Sequence, residues 1–405
     1  MRILVQKFGG TSLSGREARA HVVGHIARER QAGARLAVVV SAMGRGGDPY
    51  ATDTLLGLPG DAVSFLPLRE RDLLLACGEV ISAAVLCAAL LQQGVPAVVL
   101  NGGQAGIATD GMFGNARIMR VDPEPVLRHL EEEQVVIVTG FQGVDKQGET
   151  TTLGRGGSDT TATALGAALQ AQRVDIYTDV DGILTADPRI VPNARPLVLV
   201  SYGEICNMAR QGAKVIHPRA VEIAQQAGIP LRVRSTFSDN EGTLVTHRAS
   251  GVPLEGVVDR PVTGIAHVAG VTQLSVQAQD GNNDVQLQVF QAMAGAQISV
   301  DFINVTPSGV VYTVFDADAP KAQQILRALG YVPQAVGGCA KVSVIGGGMN
   351  GVPGIMARIV EALAEQDITI LQSADSNSTI WVLVREPDMQ GALRALHAKF
   401  QLDKI

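Results

Sequence analysis

The chain has 405 residues, of which 46% are hydrophobic and 18% charged, and its formal net charge is −6. This composition excludes a largely disordered chain, and the length suits roughly two to three folded domains. The acidic balance, without a run of Lys or Arg, argues against nucleic-acid binding. No stretch reaches the ~20 apolar residues of a membrane span, and Lys7 interrupts the first apolar run before a signal peptide could form. We therefore expect a soluble, cytoplasmic protein.

Short runs rich in Val and Ile alternate with helical stretches through the first half of the chain. The runs predict strands at residues 3–5, 36–41, 97–100, 135–139, 174–178 and 231–235. The intervening stretches predict helices at residues 16–31, 70–93, 123–133, 159–172 and 218–227. This alternation predicts an α/β fold with a mainly parallel sheet sandwiched by helices. Ligands of such sheets bind beyond the carboxyl ends of the strands, so we expect the site residues in the loops that follow the strands.

The pattern changes after residue 245. Residues 246–262 are polar and contain Gly and Pro, which predicts a linker between a catalytic domain at 1–245 and a C-terminal half. In that half Val289, Ile298 and Val310 are each followed 70 residues later by Ile359, Ile368 and Ile380. The offset predicts two copies of a βαββ α+β domain, at 263–335 and 336–405.

The first candidate site motif is Lys7-Phe8-Gly9-Gly10-Thr11-Ser12, directly after the first predicted strand. Paired glycines free backbone N–H groups to point at an anion, and a lysine supplies the positive charge that phosphoryl transfer needs. The alternative is a surface lysine beside an ordinary turn.

A second glycine-rich motif precedes the helix predicted at 159–172. It places Arg155 among Gly154, Gly156 and Gly157, followed by Ser158 and Asp159. Ser and Asp are common helix caps, so part of the motif is capping chemistry. The arginine among glycines instead indicates a site for a carboxylate or phosphate.

Two further segments carry weaker signals. One segment is Thr178-Asp179-Val180-Asp181-Gly182, together with residues 184–189 that come after it. It follows a predicted strand but also contains generic turn signals. Residues 212–218 carry Lys214, for which a solvated lysine is an equal alternative. The G-x-G-x-x-G match at 346–351 lies inside the second repeat, and the first repeat does not share it, so dinucleotide binding is disfavoured.

Taken together, the motifs at 7–12, 155–162, 178–182 and 212–220 resemble those of the aspartokinases of the amino-acid-kinase family. The repeated C-terminal units look like the paired ACT domains (ferredoxin-like, α+β) of those enzymes, which bind amino-acid effectors. Within the family, residues 41–53 and 372–384 resemble the Bacillus-type aspartokinases, a subgroup that responds to meso-diaminopimelate. The resemblance implies ATP-dependent phosphorylation of the aspartate side chain to 4-phospho-L-aspartate. This is the first step towards lysine and diaminopimelate, threonine and methionine.

The resemblance also implies roles for individual residues. Lys7 and Asp159 would be the catalytic residues. Contacts with ATP are implied for Lys7, Phe8, Gly9, Gly10, Ser41, Thr178, Asp179, Leu184, Thr185, Ala186, Asp187, Pro188, Arg189 and Lys214. Contacts with aspartate are implied for Thr52, Glu79, Arg155, Gly156, Gly157, Ser158 and Asp159, with Glu79 on the α-ammonium and Arg155 on the α-carboxylate.

The chemistry of the acceptor carboxylate bears on the role of Asp159. A carboxylate with an ordinary pKa of ~3.9 is already ionised at neutral pH, so no general base is required. We therefore predict that Asp159 positions Lys7, a water or Mg2+, and that Mg2+ is held mainly through the nucleotide phosphates, without a dedicated protein metal site.

The C-terminal half is predicted to sense an amino acid. At 281–284 the first copy lacks the Asp-x-Pro-Gly turn common in the family, whereas the second copy has Gly351-Val352-Pro353-Gly354. Asp301, Asn304, Gln372 and Ser373 are the candidate effector contacts. The resemblance implies meso-diaminopimelate, lysine or threonine as effector and a homo-oligomer formed through the ACT domains.

Two other functions remain open from sequence. One is a kinase for acetylglutamate, glutamate or carbamate, which would not ordinarily carry the tandem repeat. The other is a catalytically inactive amino-acid sensor, against which the joint presence of Lys7, Glu79, Arg155 and Asp159 argues.

Overall fold

The computed structural model describes residues 1–213, 215–247, 261–278, 284–349 and 351–404. These residues form two compact units. The first contains the described residues of 1–183, 196–210 and 215–247, and the second contains those of 184–195, 211–213 and 261–404. The division does not follow the chain continuously, because residues 184–195 group with the C-terminal half and not with the surrounding α/β region.

The first unit contains strands and helices in alternation. Its strands are β1 (Ile3–Phe8), β2 (Arg35–Val40), β3 (Ala97–Leu100), β4 (Ile107–Thr109), β5 (Ile118–Val121), β6 (Val135–Thr139), β7 (Gln142–Val144), β8 (Thr150–Thr152), β9 (Arg173–Thr178), β10 (Leu199–Ser201), β11 (Leu231–Ser235) and β12 (Thr243–Thr246). Its α-helices are α1 (Gly10–Leu13), α2 (Arg16–Gln31), α3 (Thr52–Gly57), α4 (Leu68–Gln92), α5 (Glu124–Glu131), α6 (Gly157–Ala168), α7 (Tyr202–Arg210) and α8 (Pro218–Ala227), with a 3-10 turn at Gly60–Phe65.

The main sheet of this unit has the strand order β10-β12-β11-β9-β1-β2-β6-β3. β1 pairs in parallel with β2 and β9, and β6 pairs in parallel with β2 and β3. The β11–β12 pair is antiparallel. The predicted mainly parallel α/β sheet is therefore confirmed. The carboxyl ends of β1, β2, β6 and β9 meet at one edge.

Strand periodicity sends Phe8 and Lys7 to opposite faces of this sheet. Phe8 is fully buried in the core that α2 and α4 form on one face, where its ring stacks on Tyr177 with 4.5 Å between ring centroids. On the other face lies α6, whose Gly166 leaves no room for a Cβ against Val174. Lys7 therefore ends β1 on the side that α6 covers.

Helix α4 is long and apolar enough, by length and composition alone, to cross a membrane. In this fold it packs on the parallel sheet, where Ala83, Leu86 and Leu90 are fully buried among β-strand side chains. Its apolar composition is accounted for by a core helix.

A smaller sheet of order β5-β4-β7-β8 adjoins the same edge of the unit. β7 and β8 form an antiparallel hairpin, and β4 pairs in parallel with β7. β8 leads directly into the loop that carries Arg155, so this sheet delivers the second glycine-rich motif.

The second unit repeats one motif. Its strands are β13 (Gly264–Gln277), β14 (Asp301–Thr306), β15 (Gly309–Phe315), β16 (Gln334–Ile345), β17 (Gln372–Ser376) and β18 (Thr379–Arg385). Its α-helices are α9 (Val285–Gly295), α10 (Ala319–Ala328), α11 (Ile355–Ala364) and α12 (Met389–Lys399), with 3-10 turns at Glu386–Asp388 and Leu402–Lys404. All six strands form one sheet of order β14-β15-β13-β16-β18-β17.

The predicted repeat is confirmed, with one difference. The first residues of α9, β15 and α10 (285, 309 and 319) recur 70 residues later in α11, β18 and α12 (355, 379 and 389). Each copy, however, is βαββα and not βαββ, because α10 and α12 cover apolar faces that a βαββ unit would leave open. Much of the predicted linker and the 281–283 part of the first turn lie outside the described residues.

Candidate active site

A cavity of about 540 Å³ lies in the first unit, at the shared carboxyl edge of the parallel strands. Loops after β1, β2 and β6 contribute to it, as expected for such sheets. Its lining includes the predicted residues Lys7, Gly10, Ser41, Thr52, Glu79, Arg155, Gly156, Gly157, Ser158 and Asp159. The structure thus brings together side chains that are more than 150 positions apart in the sequence.

Lys7 and Asp159 form an ion pair in this cavity. The Lys7 Nζ lies 2.8 Å from Asp159 Oδ1, and both side chains are largely buried, with exposed fractions of 13% and 12%. The other carboxylate oxygen, Oδ2, accepts a hydrogen bond from the His217 backbone N–H at 3.3 Å. Asp159 therefore fixes the ammonium group of Lys7 at the end of β1.

Gly10 is required by a close backbone approach. A Cβ at this position would lie 2.3 Å from the carbonyl oxygen of Gly44 and 2.7 Å from that of Ala42. The Gly44 N–H also donates to the Gly10 carbonyl at 2.9 Å. The turn after β1 is therefore locked against the segment after β2, which carries Ser41 into the cavity.

The Arg155 loop ends at the amino terminus of α6. Gly156 has φ +71°, and a Cβ there would lie 2.2 Å from the ring of His217, so only glycine fits. Helix α6 begins at Gly157, two residues before the predicted start. No side chain caps it, because the N-cap residue is Gly156 and both Ser158 and Asp159 lie inside the helix, so the predicted capping role is not observed. The positive end of the helix dipole lies at the cavity.

Glu79 is a buried carboxyl group on α4, with 2% of the residue exposed. Its Oε1 accepts a hydrogen bond from the Ala42 backbone N–H at 3.0 Å. Its Oε2 has no hydrogen-bond partner within the described parts of the chain. Burial raises the pKa of Glu79 to about 8. A cationic group entering the cavity would satisfy the free oxygen and favour ionisation.

Arg155 is exposed at the rim of the cavity. Across the described ranges it makes no hydrogen bond or ion pair. Its guanidinium group is thus available for an anionic ligand.

Several predicted nucleotide contacts lie elsewhere. Thr178 ends β9 and Asp179 follows it, and neither lines the cavity; Asp179 pairs with Arg45. The Phe8 side chain is in the core, so only its backbone can reach a ligand. Lys214 lies outside the described residues.

Residues 184–189 belong to the second unit. Thr185 is fully buried there, with its Oγ1 2.9 Å from His397 Nε2, and Ala186 is part of the core. Packing within that unit therefore occupies the side chains of Thr185 and Ala186, and the contacts of these two residues with ATP stay predictions. Asp187 and Arg189 pair with each other at 2.6 Å, and Arg189 is exposed. The hydrogen bond from Arg189 lowers the pKa of Asp187.

Phe141 and Asp72 are two of the cavity residues that were not predicted. Phe141 follows β6 and has φ +69°, an unusual value for a bulky residue. Its position directly after a predicted strand, in Thr139-Gly140-Phe141, was the available signal. Asp72 lies seven residues before Glu79 on α4 and is 1% exposed. It directly follows the charged run Arg69-Glu70-Arg71 at the start of α4, so nothing in the sequence marked it as buried.

The candidate effector residues lie in the second unit, at the start of β14 and β17. Asp301 pairs with Lys341. Gln372 Nε2 donates to the Phe302 carbonyl at 2.7 Å, and its Oε1 accepts from Gln273 at 2.8 Å. Asn304 and Ser373 are exposed on the same two strands. The structure therefore brings the starts of these strands together.

No group of three or more His, Cys, Asp or Glu side chains is arranged to hold a metal ion in the described ranges. Any divalent cation at the cavity would depend on ligands from a bound molecule in addition to a protein carboxylate.

Comparison with known proteins agrees with this architecture. The amino acid kinase family model matches residues 2–235, and an ACT domain model matches residues 334–398. Aspartokinase 1 of Bacillus subtilis is 55% identical over 404 residues, covering 100% of both chains. The aspartokinase of Geobacillus stearothermophilus is 43% identical, covering 99% of this chain and 98% of the relative. The structure of E. coli aspartokinase III in complex with aspartate and ADP matches with a TM-score of 0.78 and 26% identity, covering 98% of this chain and 99% of that one. The chain belongs to the amino acid kinase family, and within it to the aspartokinases.

Proposed function

We propose that this chain transfers the γ-phosphoryl group of ATP to the side-chain carboxylate of L-aspartate, giving 4-phospho-L-aspartate and ADP. The observation that carries the proposal is that one cavity contains the Lys7–Asp159 pair, the buried Glu79 and the exposed Arg155. Its relatives are aspartokinases along their whole length, and one of them was crystallised with aspartate and ADP.

The charges of the cavity suit an α-amino acid with a second carboxylate. Glu79 is proposed to receive the α-ammonium group, since its Oε2 lacks a partner among the described residues. Arg155 is proposed to bind the α-carboxylate through its guanidinium fork. Thr52 and Ser158 line the same cavity and are proposed to contact the substrate. The side-chain carboxylate is then free to react.

The reaction brings two anions together, the acceptor carboxylate and the triphosphate. The acceptor is ionised at neutral pH, so no base has to remove a proton. Lys7 is proposed to neutralise charge on the transferred phosphoryl group, and Asp159 to hold Lys7 in place. Gly9, Gly10, Ser41 and the amino terminus of α6 are proposed to lie near the phosphates.

Contacts with the rest of the nucleotide are proposed from the resemblance to the family. The proposed contacts with this part are Thr178, Asp179, Leu184, Thr185, Ala186, Asp187, Pro188, Arg189 and Lys214. Mg2+ is proposed to arrive with ATP, where it screens the phosphate charge. Asp159 is the cavity carboxylate proposed to share it.

The second unit is proposed to regulate the first. We assign it as two ACT domains, at 263–335 and 336–405, that follow a catalytic domain and a linker. An amino acid of the pathway, meso-diaminopimelate, lysine or threonine, is proposed to bind at Asp301, Asn304, Gln372 and Ser373 and to act through a coupling free energy. A homo-oligomer through these domains and a cytoplasmic location are also proposed; the four free cysteines fit a reducing compartment.

The proposed reaction is tested by following ADP release with aspartate, glutamate and acetylglutamate as acceptors. We expect activity with aspartate at least about 10²-fold above that with the longer acceptors, because Glu79 and Arg155 would hold them with the carboxylate misplaced. Preferred use of glutamate or acetylglutamate would overturn the assignment, and ADP release with none of the three would favour a sensor.

The electrostatic role of Lys7 predicts a large loss of turnover. Lys7→Ala should lower kcat by about 10²–10³-fold with a smaller change in the KM for aspartate. Lys146→Ala, at an exposed turn of the same unit, is the matched control and should leave kcat unchanged. Asp159→Asn should also lower kcat without removing a limb of its pH profile. A Lys7→Ala enzyme with most of its kcat would contradict the role.

Burial of Glu79 predicts a pH dependence of aspartate binding. Its pKa of about 8 makes Glu79 mainly neutral at pH 6–7, whereas an ammonium ligand requires the carboxylate. The kcat/KM for aspartate should therefore rise up to about tenfold per unit between pH 6 and 8 and then level off. In Glu79→Gln the value should be low and that limb absent. A limb that persists in Glu79→Gln would assign the titration to another group.

Regulation is tested by titrating meso-diaminopimelate, lysine and threonine into the same assay. One of them should inhibit the wild-type chain, and Gln372→Ala should weaken that inhibition by about 5- to 150-fold without changing basal kcat. Ser376→Ala, at the far end of the same strand, is the control. Activity that is flat with all three amino acids would reject the proposed regulation.

A further inference from the structure

Asp72 is a buried carboxylate held entirely by uncharged donors. It lies on α4 with 1% of the residue exposed, and no ion pair reaches it within the described ranges. The Gly114 N–H lies 3.0 Å from Oδ1 and 2.9 Å from Oδ2. Thr152 donates twice, through its Oγ1 to Oδ1 and through its N–H to Oδ2, both at 2.7 Å. A buried carboxylate that loses its hydrogen bonds is costly. The segments that carry the donors are therefore held in place against Asp72.

The donors to Asp72 belong to two segments that approach the Arg155 loop. Thr152 ends β8, three residues before Arg155, and Gly114 lies in the connection between β4 and β5. The Ala116 N–H donates to the Thr152 carbonyl at 2.8 Å. Arg219, from α8, donates to the carbonyls of Leu153 and Ala116, each at 3.1 Å. Asp72 and Arg219 therefore join the same two segments.

Arg155 depends on these anchors for its position. It makes no bond of its own in the part of the chain that the structure describes, and glycines with φ +73° and +71° flank it at 154 and 156. A Cβ at Gly154 would lie 2.8 Å from Asn115 Oδ1, so the loop is tightly fitted to the Gly114 segment. A shift of Thr152 or Gly114 would be transmitted to Arg155.

Helix α4 connects this anchor to the other end of the substrate site. Asp72 and Glu79 are seven residues apart, about two turns and roughly 10 Å along the helix. Both line the cavity. One rigid helix therefore carries Glu79 directly and holds Arg155 through Asp72.

We propose that Asp72 is a positioning residue that fixes the separation of Glu79 and Arg155, and thereby the affinity for the α-amino-acid part of aspartate. The inference rests on the proposed function, in which these two residues receive the α-ammonium and α-carboxylate groups. Asp72 itself contacts neither reacting group. Its effect is exerted on the distance between two binding groups, so it should appear in aspartate binding and not in nucleotide binding.

The test is steady-state kinetics of Asp72→Asn, which keeps the shape but turns one oxygen into a donor that faces N–H groups. The KM for aspartate should rise about tenfold or more, while the KM for ATP changes less than about twofold. Asp145→Asn is the matched control, since Asp145 accepts two backbone N–H bonds at 2.9 Å in the β7–β8 turn away from the cavity. It should leave both KM values unchanged.

A double-mutant cycle shows whether Asp72 acts through Arg155. In an Arg155→Ala background, Asp72→Asn should lower kcat/KM for aspartate by less than about twofold further. An undiminished effect in that background, or an equal rise of both KM values, would mean that Asp72 supports the unit in general and would overturn the inference.

If Asp72→Asn does not fold, Thr152→Val and Thr152→Ser replace it, and the inference requires that losing the hydroxyl raises the KM for aspartate more than keeping it. A wild-type chain without aspartate-dependent ADP release would overturn the proposed function and this inference together. An active wild type with an unaffected Asp72→Asn overturns the inference alone.

Discussion

The ion pair of Lys7 and Asp159 is the interaction on which the catalytic unit depends. Strand parity sends Lys7 to the face opposite Phe8, and α6 on that face presents Asp159 at its first turn. An ammonium group with 13% exposure would be unfavourable without a partner. The pair therefore places a positive charge at the carboxyl edge of the sheet. A triphosphate and a carboxylate repel each other strongly in a partly dehydrated cavity, and in the proposed reaction this preplaced charge would make their approach possible.

Helix α4 has an apolar packing face and also carries two buried carboxyl groups, two features that usually conflict. Most of its length is apolar and packs on the sheet, yet Asp72 and Glu79 are buried carboxyl groups within it. Asp72 is fully hydrogen-bonded and fastens neighbouring segments. Glu79 keeps one oxygen without a partner in the described residues, and its pKa is raised to about 8. This buried carboxyl group is unfavourable for the protein without substrate, and the proposed contact with the α-ammonium group would remove that cost. The proposed binding role of Glu79 therefore lowers the local stability of the protein without substrate.

Local patterns in the sequence predicted the elements well, and long-range contacts explain where prediction failed. The strand at 135–139 was predicted to the residue, because a run of β-branched residues between turn signals is a local feature. The start of α6 was placed late, since the left-handed conformation of Gly156 depends on the ring of His217. Asp72 was missed because its partner Thr152 is 80 residues away. The placement of residues 184–189 in the second unit likewise depends on contacts that chain order does not show.

In the second unit, an effector at the proposed residues would have to compete with contacts that are already present. β14 and β17 are at opposite ends of the strand order, yet Gln372 of β17 donates to the Phe302 carbonyl of β14. Asp301, beside it, is already paired with Lys341, a residue only 5% exposed. An effector that presents an ammonium group to Asp301 must therefore compete with Lys341 and leave a buried lysine without its partner. That exchange is favourable only if the carboxylate of the same effector replaces Asp301 as the partner of Lys341. A zwitterionic amino acid meets both conditions at once, whereas a simple amine or acid meets one, which supports the proposal that the effector is an amino acid.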